Sequence, residues 1–171
     1  MSGSALPEGA LLAWRAIPAS IEKAIAGLAE NDLELRGGSD GLSIRETVHH
    51  LAEAGLIASN IILAALARGG GTVFDWSWVY PNAAWNQRMG YAAAPIEPAL
   101  RTLRALCEHV GGLIERRPDA LQQEVRLLDA PGAALYARSV EGVLKQEVEH
   151  AAEHLRGVAE TRKANGRWLA G

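Results

Sequence analysis

At 171 residues, 49% of them apolar, the chain can bury one sizeable core, and a single domain over 1–171 is expected. A formal net charge of −3 and the absence of any Lys/Arg block give no basic field for a phosphate backbone, which argues against a nucleic-acid partner. The longest apolar stretch, 56–67, is interrupted by Ser59 and Asn60, the first residues carry no positive region leading into an apolar run, and Cys107 is the one cysteine. These features predict a cytoplasmic protein with no membrane span, no disulfide and no cysteine-based metal cage.

Ala and Leu dominate the apolar set, which favours helices. Leu11, Leu12, Trp14, Ile17, Ile21, Ile25 and Leu28 recur at helical spacing over 7–30, and Pro18 should kink or divide that helix. Residues 31–41 read as a loop, closed by Gly37-Gly38 and Asp40-Gly41. Ser43 with Glu46 three residues later has the form of a capping box, so a second helix is expected from 43 to about 68, ended by Gly69-Gly70-Gly71. The stretch to Pro95 carries Trp76, Trp78, Tyr80, Trp85 and Tyr91 and reads as a long aromatic connection with one short helix at 82–89.

A third helix is expected over 96–116 through Leu100, Leu103, Leu106, Val110 and Leu113, stopping before Pro118. Residues 119–132 read as an irregular crossover. The fourth helix is placed over 134–164 by Val140, Val143, Leu144, Val148, Ala151, Leu155 and Val158, with Gly166 closing it. The fold class that follows is all-α: an antiparallel four-helix bundle with long crossover connections. In such bundles binding sites form where polar side chains of facing helices converge inside.

The histidines supply that convergence. His150 and His154, at i and i+4, share one helical face about one turn apart, at the border of the apolar stripe with Glu147 and Val158. On the second helix, neighbouring His49 and His50 diverge by about 100°. His50 shares its side with Thr47, Ala54, Ile57 and Ile61, whereas His49 falls among Glu46, Glu53 and Asn60, so His50 is the inward candidate and His49 is expected at the rim or in solvent. His109 has no polar companion. A three-His site of His50, His150 and His154 suits one divalent metal ion, Zn or Ni, and leaves an open coordination position of the catalytic type. Such a position activates water or a thiol. Glu147, three residues before His150, is the candidate catalytic carboxylate, placed to orient the imidazole, bind the ion or accept a proton. Trp76, Trp78, Tyr80 and Trp85 on the long connection are candidates for the pocket wall, and Cys107, among Leu103, Leu106 and Val110, reads as core packing.

The stretches LSIRETVHHLAEA at 42–54 and EVEHAAEHLRGV at 147–158 resemble the DinB/YfiT-like superfamily of bacterial metal-binding bundles. Similar proteins carry a His-Leu-Ala step early in helix two and an HxxxH motif on the last helix, and the resemblance assigns their ligand roles to His50, His150 and His154. The segment VYPNAAWNQ at 79–87 is similar to a Tyr-(Asp/Asn)-x-x-x-Trp loop of the YfiT-like branch. The resemblance implies a metal-dependent enzyme: thiol S-transfer from bacillithiol, mycothiol or glutathione to a small electrophile first, hydrolysis second, and a non-catalytic metal or ligand binder as the reading of a different class. Expected partners are a small-molecule substrate, with a low-molecular-weight thiol among the candidates, and a second copy of the chain as a homodimer. No membrane partner is expected.

Overall fold

The first apolar stripe folds as two helices, α1 (Glu8–Arg15) and α2 (Ile17–Ile25). Pro18 accounts for the division: without an N–H it suits the first turn of a new helix and not the interior of a continuous one, and it stands at the start of α2. The computed structural model describes residues 8–37, 41–79 and 82–167, so Pro7, Gly38, Asp40 and Tyr80 lie outside the described residues. Helix α3 (Ile44–Arg68) opens with the expected box: Ser43 Oγ accepts from the Glu46 N–H at 3.1 Å, and Glu46 Oε2 accepts from the Ser43 N–H at 2.8 Å. Gly69 ends it at φ +71°, a conformation that costs a side chain-bearing residue energy. The short helix α4 (Asn82–Met89) forms where expected, and α5 (Ile96–Glu115) and α6 (Val140–Ala164) complete the helices.

Two expectations are corrected. Residues 119–132 are not irregular throughout, because β2 (Glu124–Leu128) runs through them, and the last helix begins at Val140, not at 134. In β2, buried Val125 and Leu127 alternate with exposed Glu124 and Arg126, the period of two that a half-buried strand requires. It pairs in parallel with β1 (Val73–Asp75), Val73 opposite Arg126, and antiparallel with β3 (Tyr136–Ser139), Leu127 opposite Tyr136. The sheet order is β1-β2-β3. Pairing holds residues 136–139 extended, and Ser139 starts α6 by accepting from the Gly142 N–H at 3.1 Å.

The α1–α2 pair packs on α5 and α6, and α3 packs on the same two helices from the opposite side, so four helical rods enclose one core. Trp14, Ile21, Ile44, Ile62, Leu103 and Leu144 are fully buried in it. Close approach of α3 to α5 depends on Gly55, where a Cβ would lie 2.3 Å from Leu103 Cδ1. Helix α3 is long and apolar enough to cross a membrane, with a mean hydropathy of 1.6 in its most apolar window. Half of that window is buried against the other helices, and Ser59 and Asn60 bond back to the carbonyls of Gly55 and Leu56 at 2.7 and 2.9 Å.

Candidate metal centre

The capped start of α3 sets the rotation at which His50 leaves the helix, and α6 presents His150 and His154 one turn apart. The tertiary packing of α3 on α6 brings the three together, as the spacing predicted. His150 Nε2 lies 3.1 Å from His50 Nε2 and 3.0 Å from His154 Nε2. All three residues are half-buried, and one ligand atom from each falls within 4.8 Å of the others. The rings meet edge to face, with centroids 4.6–5.0 Å apart.

This donor set fits a divalent ion. Nitrogens bound at about 2.1 Å along tetrahedral directions stand about 3.4 Å apart, close to the spacings here. Ring nitrogens converging on one point repel through their lone pairs unless a cation or a shared proton lies between them. Glu147, one turn before His150, places Oε2 3.9 Å from His150 Nδ1, the nitrogen turned away from the cluster. That is longer than a hydrogen bond, and the carboxylate faces the imidazole as a charge that favours the Nδ1–H tautomer, leaving Nε2 free to ligate.

The cluster borders a cleft of about 200 Å³. His50, Ala54, Ile57 and Ile61 line it from α3, the same side that the helical spacing assigned to His50. Val143, Gln146, Glu147 and His150 line it from α6. The wall predicted from aromatic residues is half realised. Trp76 and Trp85 line the cleft, while Trp78 is 56% exposed, packs on Trp85 at 5.1 Å and donates its indole N–H to Asp75 O. Leu127 from β2 and Tyr136 from β3 form the rest of that wall. Sequence reasoning missed both with the sheet; the signal was the alternation of Val125 and Leu127 with charged neighbours.

Two further polar residues of the cleft, Glu53 and Asn86, were also missed as site residues. Glu53 follows His50 by three positions, a neighbour on the same helical face, and accepts the Trp85 indole N–H. His49 departs from expectation: it is buried, its ring stacks on Tyr91 at 4.8 Å with planes 3° apart, and its Nε2 lies 3.3 Å from Ala94 O. The loop that carries Tyr91 folds over this part of α3, covering a face that would otherwise meet solvent. His109 is exposed on α5. Cys107 is buried beneath Trp14, and burial, followed by the charges of Glu108 and Glu147, pushes its thiol up to about 12.

No family model matches the chain. A protein of Geobacillus kaustophilus described as a candidate metal-dependent hydrolase, GK0616, is 27% identical over 164 residues, covering 91% of this chain and 84% of that protein. Among solved structures, YfiT from Bacillus subtilis, described as a probable metal-dependent hydrolase with an unusual four-helix bundle topology, superposes with a TM-score of 0.80 at 17% identity. The match spans 97% of this chain and 91% of YfiT. With its four bundle helices and this superposition, the chain has the four-helix bundle fold of YfiT.

Proposed function

We propose that this protein is a divalent-metal-dependent hydrolase of a small molecule, with His50, His150 and His154 holding the ion. The observation that carries this reading is the convergence of three imidazole nitrogens at the border of an open cleft. Held there, a divalent ion supplies Lewis acidity toward a substrate oxygen and lowers the pKa of water. The chain's own residues do the rest. Trp76, Trp85 and Leu127 exclude bulk water from one side and seat the apolar part of the substrate. Glu147, on the cleft wall beside His150, holds the ring orientation and takes up a proton at a carboxylate oxygen when water attacks. The described names of the Geobacillus and Bacillus proteins agree with this chemistry.

Thiol S-transfer is the second reading, favoured by the aromatic wall, which suits a small electrophile. Its sulfur would come from an added low-molecular-weight thiol, since the Cys107 thiol is buried and kept protonated.

Tag-free protein should carry about one divalent ion per chain, read by elemental analysis, and should cleave chromogenic esters or amides with a rate that the His154→Ala variant loses. Zn and Ni reconstitution of chelated protein identifies the productive ion. Conjugation of glutathione, bacillithiol or mycothiol to a chromogenic electrophile, with no ester or amide cleavage, would put S-transfer first. Metal binding with silence in both assays would leave a non-catalytic binder. Chelation should preserve the helical circular dichroism, because the apolar core closes without the ion, and lower the melting temperature by the lost binding energy. Complete unfolding on chelation would recast the ion as structural.

A further inference from the structure

The cleft carries a charge pattern that hydrolysis by itself does not require. Glu53 and Glu147 line it from two different helices, and among the described residues no Lys or Arg lines it. The Glu53 carboxylate is held by a neutral donor. Trp85 donates its indole N–H to it. Among the described residues no basic side chain forms an ion pair with Glu53.

The other walls add the second element of cation recognition. The rings of Trp76, Trp85 and Tyr136 line the same cleft, and aromatic rings attract cations through their negative faces. Tyr136 already does so outside the cleft, where the Arg138 guanidinium carbon lies 5.4 Å from its ring centroid. The volume, about 200 Å³, admits only a small molecule.

We propose that the cleft selects small cationic substrates, an ammonium group lodging beside Glu53 among the rings of Trp76, Trp85 and Tyr136 while the reactive end faces the histidine cluster. The proposal rests on the reading of this cleft as the substrate pocket and narrows its substrate class. At the Glu53 end of the cleft, away from the ion, a ligand carboxylate would be repelled, and among the described residues no Lys or Arg lines the cleft to receive it.

The test compares choline with 3,3-dimethylbutan-1-ol, its uncharged isostere, by calorimetry and by tryptophan fluorescence on metal-loaded protein. Wild-type protein should prefer choline by at least about tenfold, and added salt should weaken choline binding alone. Glu53→Gln should abolish most of that preference while binding the neutral alcohol as before. Equal binding of the two probes, no choline binding at millimolar concentration, or an undiminished preference in E53Q would each overturn the proposal. Should circular dichroism show E53Q unfolded, the wild-type pair of probes decides alone. The same pair measured on His154→Ala separates this inference from the hydrolase reading. A choline preference there, with no ester cleavage by wild type, supports cation selection and removes hydrolysis; metal-dependent ester cleavage without any preference removes cation selection alone.

Discussion

The cleft has a helical side, formed by faces of α3 and α6, and an opposite side assembled from four separate segments. On the helical side, His50, Ala54, Ile57 and Ile61 follow one another at three- and four-residue intervals, so a single local periodicity places all of them. On the opposite side Trp76 follows β1, Trp85 sits on α4, Leu127 on β2 and Tyr136 on β3, and their meeting depends on a parallel pairing between strands about fifty residues apart. The helical side is specified within each helix by short-range geometry. The opposite side is specified by long-range contacts, and it decides which molecule fits. Chemistry and selectivity are therefore separable by mutation.

The largest effects should fall on the helical side. His50→Ala, His150→Ala or His154→Ala should weaken metal retention by about 100-fold or more, measured by chelator competition, since each removes one nitrogen of the set. His49→Ala and His109→Ala should retain the ion. The former should still lose about 1–2 kcal/mol of stability through the missing ring stack on Tyr91, a loss that a solvated His49 would not produce.

Leu127→Ala attacks the other wall. It should cost roughly 2–3 kcal/mol in denaturant unfolding, because Leu127 is 2% exposed, while metal content stays at the wild-type level. Loss of the ion in that variant would show that the two walls are not independent.

Gly55→Ala tests the packing that holds the helical wall in place. Its new methyl would overlap Leu103, so a loss of about 1–2 kcal/mol is expected in thermal melts, with helicity unchanged.

The smallest effect concerns the start of α3. Burial pushes the Glu46 carboxyl up, but the Ser43 N–H and the Arg36 guanidinium together hold it below its ordinary value of 4.5. Its contribution is therefore complete above that value and is lost as pH falls through the lower folded value. Glu46→Gln should cost less than about 1 kcal/mol at neutral pH and flatten this acid-side loss in a pH series of melts.

The bundle helices and the histidine cluster were legible in the sequence because both obey the 3.6-residue period. Ser43 and Glu46 announce the start of α3, Pro18 announces the break between α1 and α2, and the i, i+4 spacing of His150 and His154 is itself a statement about one helical face. The strands were not legible in the same way. Three to five residues give too short a sample of a period-two pattern, and each strand gains its hydrogen bonds only from a partner remote in the chain. His49 shows the same limit. Its helical face follows from counting, but its burial follows from Tyr91, brought over α3 by a loop more than forty residues downstream.

By itself the sequence determined which side of α3 and α6 bears imidazoles, since the angle between neighbouring residues is a property of the helix backbone. Only the tertiary structure decided that Glu53, Trp85, Leu127 and Tyr136 share a cleft with them. Proximity between segments depends on how the core packs and how the strands pair, and both are set by the burial of the whole chain at once.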